Sequence, residues 1–266
     1  MARVSRSRNR TSALAAATLL TVLLSACAGG SPEESPSPTP SASPTQSTPT
    51  PSPTETEEPT PSPTEEPAPE YDIDSADSLT VVVNKARPLQ PADYVPETVA
   101  SSVYSVNGQP LRPEANEALA QMDADVTAAT GSGFVLCSGY RSYDYQVELY
   151  SGYVNGYGQE AADATSARAG HSEHQLGLAA DIMGEGQGCS LSEAYAQTAS
   201  GQWVSEHAWE YGFILRYPDG SQPIVGYSYE PWHWRYIGVD IAQDMQEQGI
   251  TTLEEYFGLD AAPDYL

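Results

Sequence analysis

The sequence predicts an α+β fold, a compact domain with a small, mostly antiparallel sheet flanked by helices. Three observations lead there. About 190 residues from Tyr71 onward have globular composition, enough for one good core. Within them, short apolar strand-like runs and helical runs do not alternate regularly enough for parallel βαβ units. No internal repeat points to a solenoid or propeller.

The elements follow in order. "SLTVVVNKARPL" reads as a strand with a proline stop. "PEANEALAQMDADVTAAT" sets Ala115, Leu119, Met122 and Val126 at helical spacing, with Pro113 in the first turn and Gly131 just past the end. "GFVLCSGYRS" reads as a strand running into a loop. "SYDYQVELYSGYV" reads as a helix capped by Ser142, with Tyr143, Val147 and Tyr150 on one side. "SLSEAYAQTASGQWVSEHAWEYGFI" reads as one or two helices broken at Gly201. "FILRYP" and "HWRYIG" follow as strands, and "DIAQDMQEQGI" and "TTLEEYFG" as closing helices.

The chain ahead of this domain is of another kind. Arg3, Arg6, Arg8 and Arg10 precede the apolar run "SALAAATLLTVLLSA", which reads as a secretory signal and is short for a membrane span. Leu24-Ser25-Ala26-Cys27 resembles a bacterial lipobox, in which the cysteine is acylated and becomes the first mature residue. An ordinary signal peptide with an incidental cysteine is the alternative. The expected boundaries are a signal peptide at 1–26, a lipidated Cys27 and tether at 27–70, and the folded domain at 71–266. From Ser31 to Glu70 the chain is nearly all Pro, Ser, Thr and Glu, a composition with nothing to bury that stays extended and solvated.

The formal charge is −25, and removing the four signal arginines deepens it to −29. Nucleic acid and anionic lipid headgroups are poor partners for such a surface, so membrane contact is expected through the lipid anchor alone. Apart from Cys27, the exported domain keeps Cys137 and Cys189. An even pair in an oxidising compartment favours a disulfide.

Candidate chemistry concentrates in two stretches. "GHSEHQLGLAADIM" carries His171, His174 and Asp181. His174 and Asp181 are seven residues apart, about 10 Å of rise in a helix, and on opposite faces in a strand. They can share an ion only if the chain turns between them, which Gly177 permits. "YEPWHW" carries Glu230 and His233, and Pro231 disfavours a regular helix through them. With His233 at the start of a strand and on a metal, Glu230 in the preceding loop can serve as general base toward water. Trp232 and Trp234 would wall such a site. His207, with Trp203 and Tyr211 at i±4, reads as a packed helix residue.

These motifs carry a family resemblance. "SEHQLGLAAD" has the pattern Ser-x-His-x-x-Gly-x-Ala-x-Asp and "EPWH" the pattern Glu-x-x-His. Both resemble the zinc D-alanyl-D-alanine carboxypeptidases and dipeptidases of the VanY/VanX type. "VVVNKARPL", "CSGYRSYDYQ" and "YGFILRYP" extend the similarity over residues 79–240, in the family's order. The resemblance implies one Zn2+ held by His174, Asp181 and His233, with Glu230 as catalytic base and Arg141 contacting substrate near the scissile carbonyl. Gln146 and Ser172 match positions that line the family's substrate pocket, beside Trp232, and His171 is left as a rim residue. The fold implied is the small α+β one shared with the Hedgehog signalling domain.

The expected activity is removal of the terminal D-Ala from D-Ala-D-Ala-ended peptidoglycan stem peptides. The protein is expected as a monomer, outside the cytoplasmic membrane, with its domain in the cell-wall space. A peptidoglycan endopeptidase, a D,D-dipeptidase and a non-catalytic wall-binding lipoprotein are the alternatives. Retention of Glu230 argues against the last, because a binding module has no need of a base.

Overall fold

The computed structural model describes residues 71–266, so the signal run, Cys27 and the tether lie outside the described residues. Among the described residues no helix is long and apolar enough to cross a membrane. Two short strands, β1 (Val99–Ala100) and β2 (Pro110–Leu111), pair ahead of helix α1 (Pro113–Thr130). Strand β3 (Phe134–Ser138) leads into α2 (Tyr143–Tyr157) and α3 (Gln159–Thr165). After β4 (Ala179–Gly184) come α4 (Ala199–His207), β5 (Phe213–Leu215) and α5 (Gln222–Val225). Strand β6 (His233–Tyr236), α6 (Val239–Gln248) and α7 (Leu253–Tyr256) close the chain.

The central sheet has the order β3-β4-β6-β5, with each neighbouring pair antiparallel. This is the small α+β architecture the sequence predicts. Side chains alternate across such a sheet, and the alternation divides its labour. Ala180, Ile182, Trp234 and Phe213 join Ala115, Leu119, Met122 and Val126 of α1 and Val204 of α4 in the main core. The opposite face carries Asp181, His233 and Arg235, with Ala179 paired to Arg235 and Asp181 to His233. One face is therefore hydrophobic core and the other holds charge. A second apolar cluster, including Val82, Ile214, Ile241 and Leu253, fastens α6 and α7 to the sheet.

Helix α1 forms where its apolar spacing places it, starts at Pro113 and stops at Gly131 in the left-handed region. Ser142 caps α2 by accepting the Tyr145 N–H. Cys137 at the end of β3 is bridged to Cys189 in the loop after β4.

Three readings need correction. Residues 78–89 form no strand: Val82 N–H donates to Ile73, while the carbonyls of Leu79 and Val81 accept from Arg235. A side-chain guanidinium satisfies backbone that a ladder would otherwise take. The helix after Ser190 breaks at Thr198, which caps α4 through the Gly201 N–H, and not at Gly201. Gly201 sits inside α4 because a Cβ there would lie 2.1 Å from the Tyr195 carbonyl. On α2, Val147 is exposed and Gln146 is the buried residue, so a polar side chain and not an apolar stripe anchors this helix.

Candidate metal centre

The site begins with a turn. Residues Glu173–Leu176 form one short 3-10 turn that Gly177 ends at φ 68, a conformation only glycine adopts without cost. A Cβ at Gly177 would also crowd Arg112 N at 3.2 Å. The reversal lets β4 start two residues later and brings Asp181 back beside His174. Asp181 stands directly opposite His233 across the β4–β6 ladder, so the sheet register itself sets these two side chains together.

The donor atoms converge. His174 Nε2 is 3.2 Å from Asp181 Oδ2, and His233 Nδ1 is 3.1 Å from Asp181 Oδ1. One atom from each of the three residues lies within 4.8 Å of the others. His174 donates its Nδ1–H to the Gly139 carbonyl at 2.7 Å, which leaves Nε2 with its lone pair facing inward. Nε2 of His174 and Oδ1 of Asp181 are buried with no hydrogen-bond partner. Buried polar atoms of this kind are costly unless something binds them. Two imidazoles and a carboxylate, buried and convergent, suit zinc with a position left open.

Glu230 lies in the loop before β6, its Oε2 3.7 Å from His233 Nδ1 and its backbone tied to the Tyr217 carbonyl. Burial, with the Asp181 charge adding, pushes its carboxyl up to about 8 in the metal-free protein. Burial and the Arg141 charge bring His174 down to about 4. Burial opposes ionisation of Asp181, yet the two histidines hold its carboxyl far below the usual range. His233 goes the other way: burial disfavours its charge, but Asp181 and Glu173 together push it up to about 9.

A cavity of about 300 Å³ opens over these groups, and Arg141, Ser172, Trp232, Tyr217 and Tyr227 line it with the donors and Glu230. Arg141 is the sole Arg or Lys among the described lining residues, and its backbone N–H holds the His174 carbonyl at 3.1 Å. A second cavity of about 570 Å³ shares Arg141, Tyr153, Asp181 and Leu191 with the first, and Tyr140 and Tyr145 form part of its wall. Gln146 sits behind the wall. Its amide donates to Ala167 O and Ser166 Oγ, and those two residues do line the first cavity. Trp234 turns to the core face, so Trp232 alone of the two tryptophans faces the site. His171 lies outside the lining, its Nδ1 on the Asn84 carbonyl and its ring edge on Tyr265. His207 is stacked on Trp203 and paired with Glu210.

The comparisons with known proteins agree with this geometry. Residues 108–239 match the family model VanY: D-alanyl-D-alanine carboxypeptidase. YodJ of Bacillus subtilis (strain 168), a carboxypeptidase by name, is 40% identical over 190 residues, which cover 70% of this chain and 69% of that protein. The chain belongs to the VanY D-alanyl-D-alanine carboxypeptidase family. Among solved structures, the LdcB LD-carboxypeptidase is 39% identical with a TM-score of 0.64, covering 69% of this chain and 87% of its own. A vancomycin-resistance D,D-pentapeptidase VanY variant in complex with Zn(II) is 32% identical with a TM-score of 0.57, covering 66% and 97%. This VanY-family chain is a metallopeptidase, and zinc is its cofactor.

Sequence reasoning missed the layer behind the donors. Glu173, Arg216, Arg235 and Glu254 are buried together on the charged face of the sheet. Their signal was present: "FILRYP" and "HWRYIG" each set an arginine inside a strand-like run, and a buried arginine requires a buried acid.

Proposed function

We propose that this protein is an exported, lipid-anchored zinc D,D-carboxypeptidase that removes the terminal D-Ala from peptidoglycan stem peptides ending in D-Ala-D-Ala. One observation carries the reading. Three buried donors converge in a cavity that also holds a buried carboxylate, Glu230, and a single arginine, Arg141. When bound, zinc supplies Lewis-acid polarisation of the scissile carbonyl and makes water more acidic. His174, Asp181 and His233 would hold it. Glu230 takes a proton from the attacking water and returns it to the amine of the departing D-alanine, so the base is regenerated each turnover. Arg141 stabilises the oxyanion that develops or holds the terminal carboxylate, both anionic tasks that a guanidinium fits. No Ser or Cys nucleophile is needed.

The second cavity supports a carboxypeptidase over a dipeptidase, because it adjoins the first through Arg141, Tyr153, Asp181 and Leu191 and offers room for more than a dipeptide. Likeness to the LdcB LD-carboxypeptidase, higher in identity than that to VanY, favours one second reading, in which the residue before the terminal D-Ala is an L-centre. Digesting purified muropeptides with the zinc-loaded protein and weighing the products separates these. Loss of one alanine from pentapeptide stems, with tetrapeptide stems and free D-Ala-D-Ala untouched, is the expected result. Cleavage confined to tetrapeptide stems supports the second reading, and no cleavage of any stem contradicts both.

The anchor rests on the lipobox-like Leu24-Ser25-Ala26-Cys27. Cys27→Ala should leave the protein unprocessed or released to the medium. Unchanged membrane fractionation would refute the anchor.

A further inference from the structure

Glu173 precedes His174 in the same 3-10 turn and is 1% exposed. Its two oxygens have different surroundings. Oε1 accepts from Arg216 Nε at 2.9 Å and from Arg235 Nη1 at 2.8 Å. Oε2 has no hydrogen-bond partner, and neither does His233 Nε2, although the two atoms face each other at 3.5 Å. The other nitrogen of the same ring, Nδ1, lies among the donor atoms, 3.1 Å from Asp181. The His233 imidazole therefore bridges the metal centre and a buried carboxylate.

We infer that Glu173 is a positioning residue of the metal centre, accepting the Nε2–H of His233 so that Nδ1 presents its lone pair to the ion. A proton on Nε2 gives both unpartnered atoms a partner and fixes one tautomer. A carboxylate behind a ligating imidazole also makes it more basic and holds its plane. Glu173 is itself held still. Arg216 and Arg235 grip it, and Arg216 is gripped from behind by Glu254 of α7, whose two oxygens accept from Nη1 at 2.9 Å and Nη2 at 2.7 Å. Asn84 donates to Glu254 as well. Two carboxylates and two guanidiniums balance, so none of the four charges is buried alone. Glu254 completes the charge balance behind Arg216, and only Glu173 reaches His233.

The competing role for Glu173 is a counter-charge for the two arginines and nothing more. Glu254 provides the control, since it carries the same charge on the same arginine but does not touch His233. The inference rests on the zinc reading above, and the experiment keeps the two apart. Zinc affinity is measured by competition with a chromophoric chelator for the wild type and for Glu173→Gln, Glu173→Asp and Glu254→Gln. Absorption spectra of the cobalt(II)-loaded proteins and thermal unfolding of the metal-free ones accompany it. Replacing such a partner typically weakens binding 10–100-fold. Glu173→Gln should lose affinity in that range and shift the cobalt spectrum, while Glu254→Gln stays within about 2-fold and loses only thermal stability. Glu173→Asp, which keeps the charge and shortens the reach, should fall between and serves if the glutamine variant does not fold. Wild-type affinity in Glu173→Gln, or equal losses in Glu173→Gln and Glu254→Gln, would overturn the inference. A wild type that binds no zinc would instead sink the metal centre itself.

Discussion

Removing the Cys137–Cys189 bridge should cost this domain about 4 kcal/mol. The bridge closes a loop of 52 residues. Loop-closure entropy for about that length is roughly 14 cal/mol/K, or about 4 kcal/mol at 25 °C. Domains of this size lose roughly 2–4 °C of Tm per kcal/mol, so the double variant Cys137→Ala/Cys189→Ala should unfold about 8–16 °C lower. Because Cys137 is only partly buried and Cys189 is exposed, little packing is lost alongside the entropy. The bridge also pins the loop that ends in Leu191, a residue at φ 41 that lines both cavities. Such a backbone persists only where its surroundings enforce it. The variant should therefore lose catalytic efficiency at temperatures well below its own Tm. The assay is thermal unfolding of metal-free wild type and variant, with thiol labelling of denatured, unreduced wild type. A Tm drop below about 2 °C, or two labelled thiols in the wild type, would show that the bridge does not stabilise the domain in this way.

Two further predictions follow from the metal centre and the charged layer behind it. Single alanine variants of His174, Asp181 and His233 should each lose most bound zinc, whereas His171→Ala should retain it. Metal analysis showing the reverse for His171 and His174 would refute the donor set. The second prediction concerns the stability of zinc-free protein, which should peak near pH 5 to 6. On the acid side, burial disfavours the charges of Glu173 and Glu254, but Arg216 holds both carboxyls below the usual range, so their stabilising share is lost as pH falls. On the alkaline side, Glu230 and His233 are pushed up to about 8 and about 9. The stability of their protonated forms is present below the unfolded values and lost as pH rises through the folded ones. Zinc should remove the alkaline fall, because the cation favours ionised Glu230 and neutral His233. A zinc-free Tm that rises steadily from pH 5 to 9 would contradict this.

The parts of the fold that were legible in the sequence are those governed by local rules. Helix α1 has an apolar period, a first-turn proline and a glycine stop, and all three act within the segment itself. His174 and Asp181 were legible as partners because Gly177 allows the turn that two residues seven apart require. What escaped was decided by contacts that the local pattern does not show, most of them with partners far away in the chain. Residues 78–89 have the composition of a strand, yet Arg235 takes their carbonyls from some 150 residues further on. Gly201 looks like a break, but its lack of a side chain serves a close approach to Tyr195. The Glu173–Arg216–Glu254 chain joins residues from three stretches of sequence: an arginine in a strand-like run signals a buried acid, but no local spacing says which one.

The proposed mechanism requires Glu230 to act as a base and not as a ligand. Glu230→Gln keeps the size and hydrogen-bonding reach of the side chain but cannot take a proton from water. The measurement is D-alanine release from a pentapeptide stem, with zinc content and substrate affinity determined on the same preparation. Full zinc occupancy, near-normal affinity and a rate lower by about 10²–10⁴, the usual range for a general base, are expected. Release close to the wild-type rate would reject Glu230 as the base, and loss of zinc together with activity would make it a fourth ligand instead.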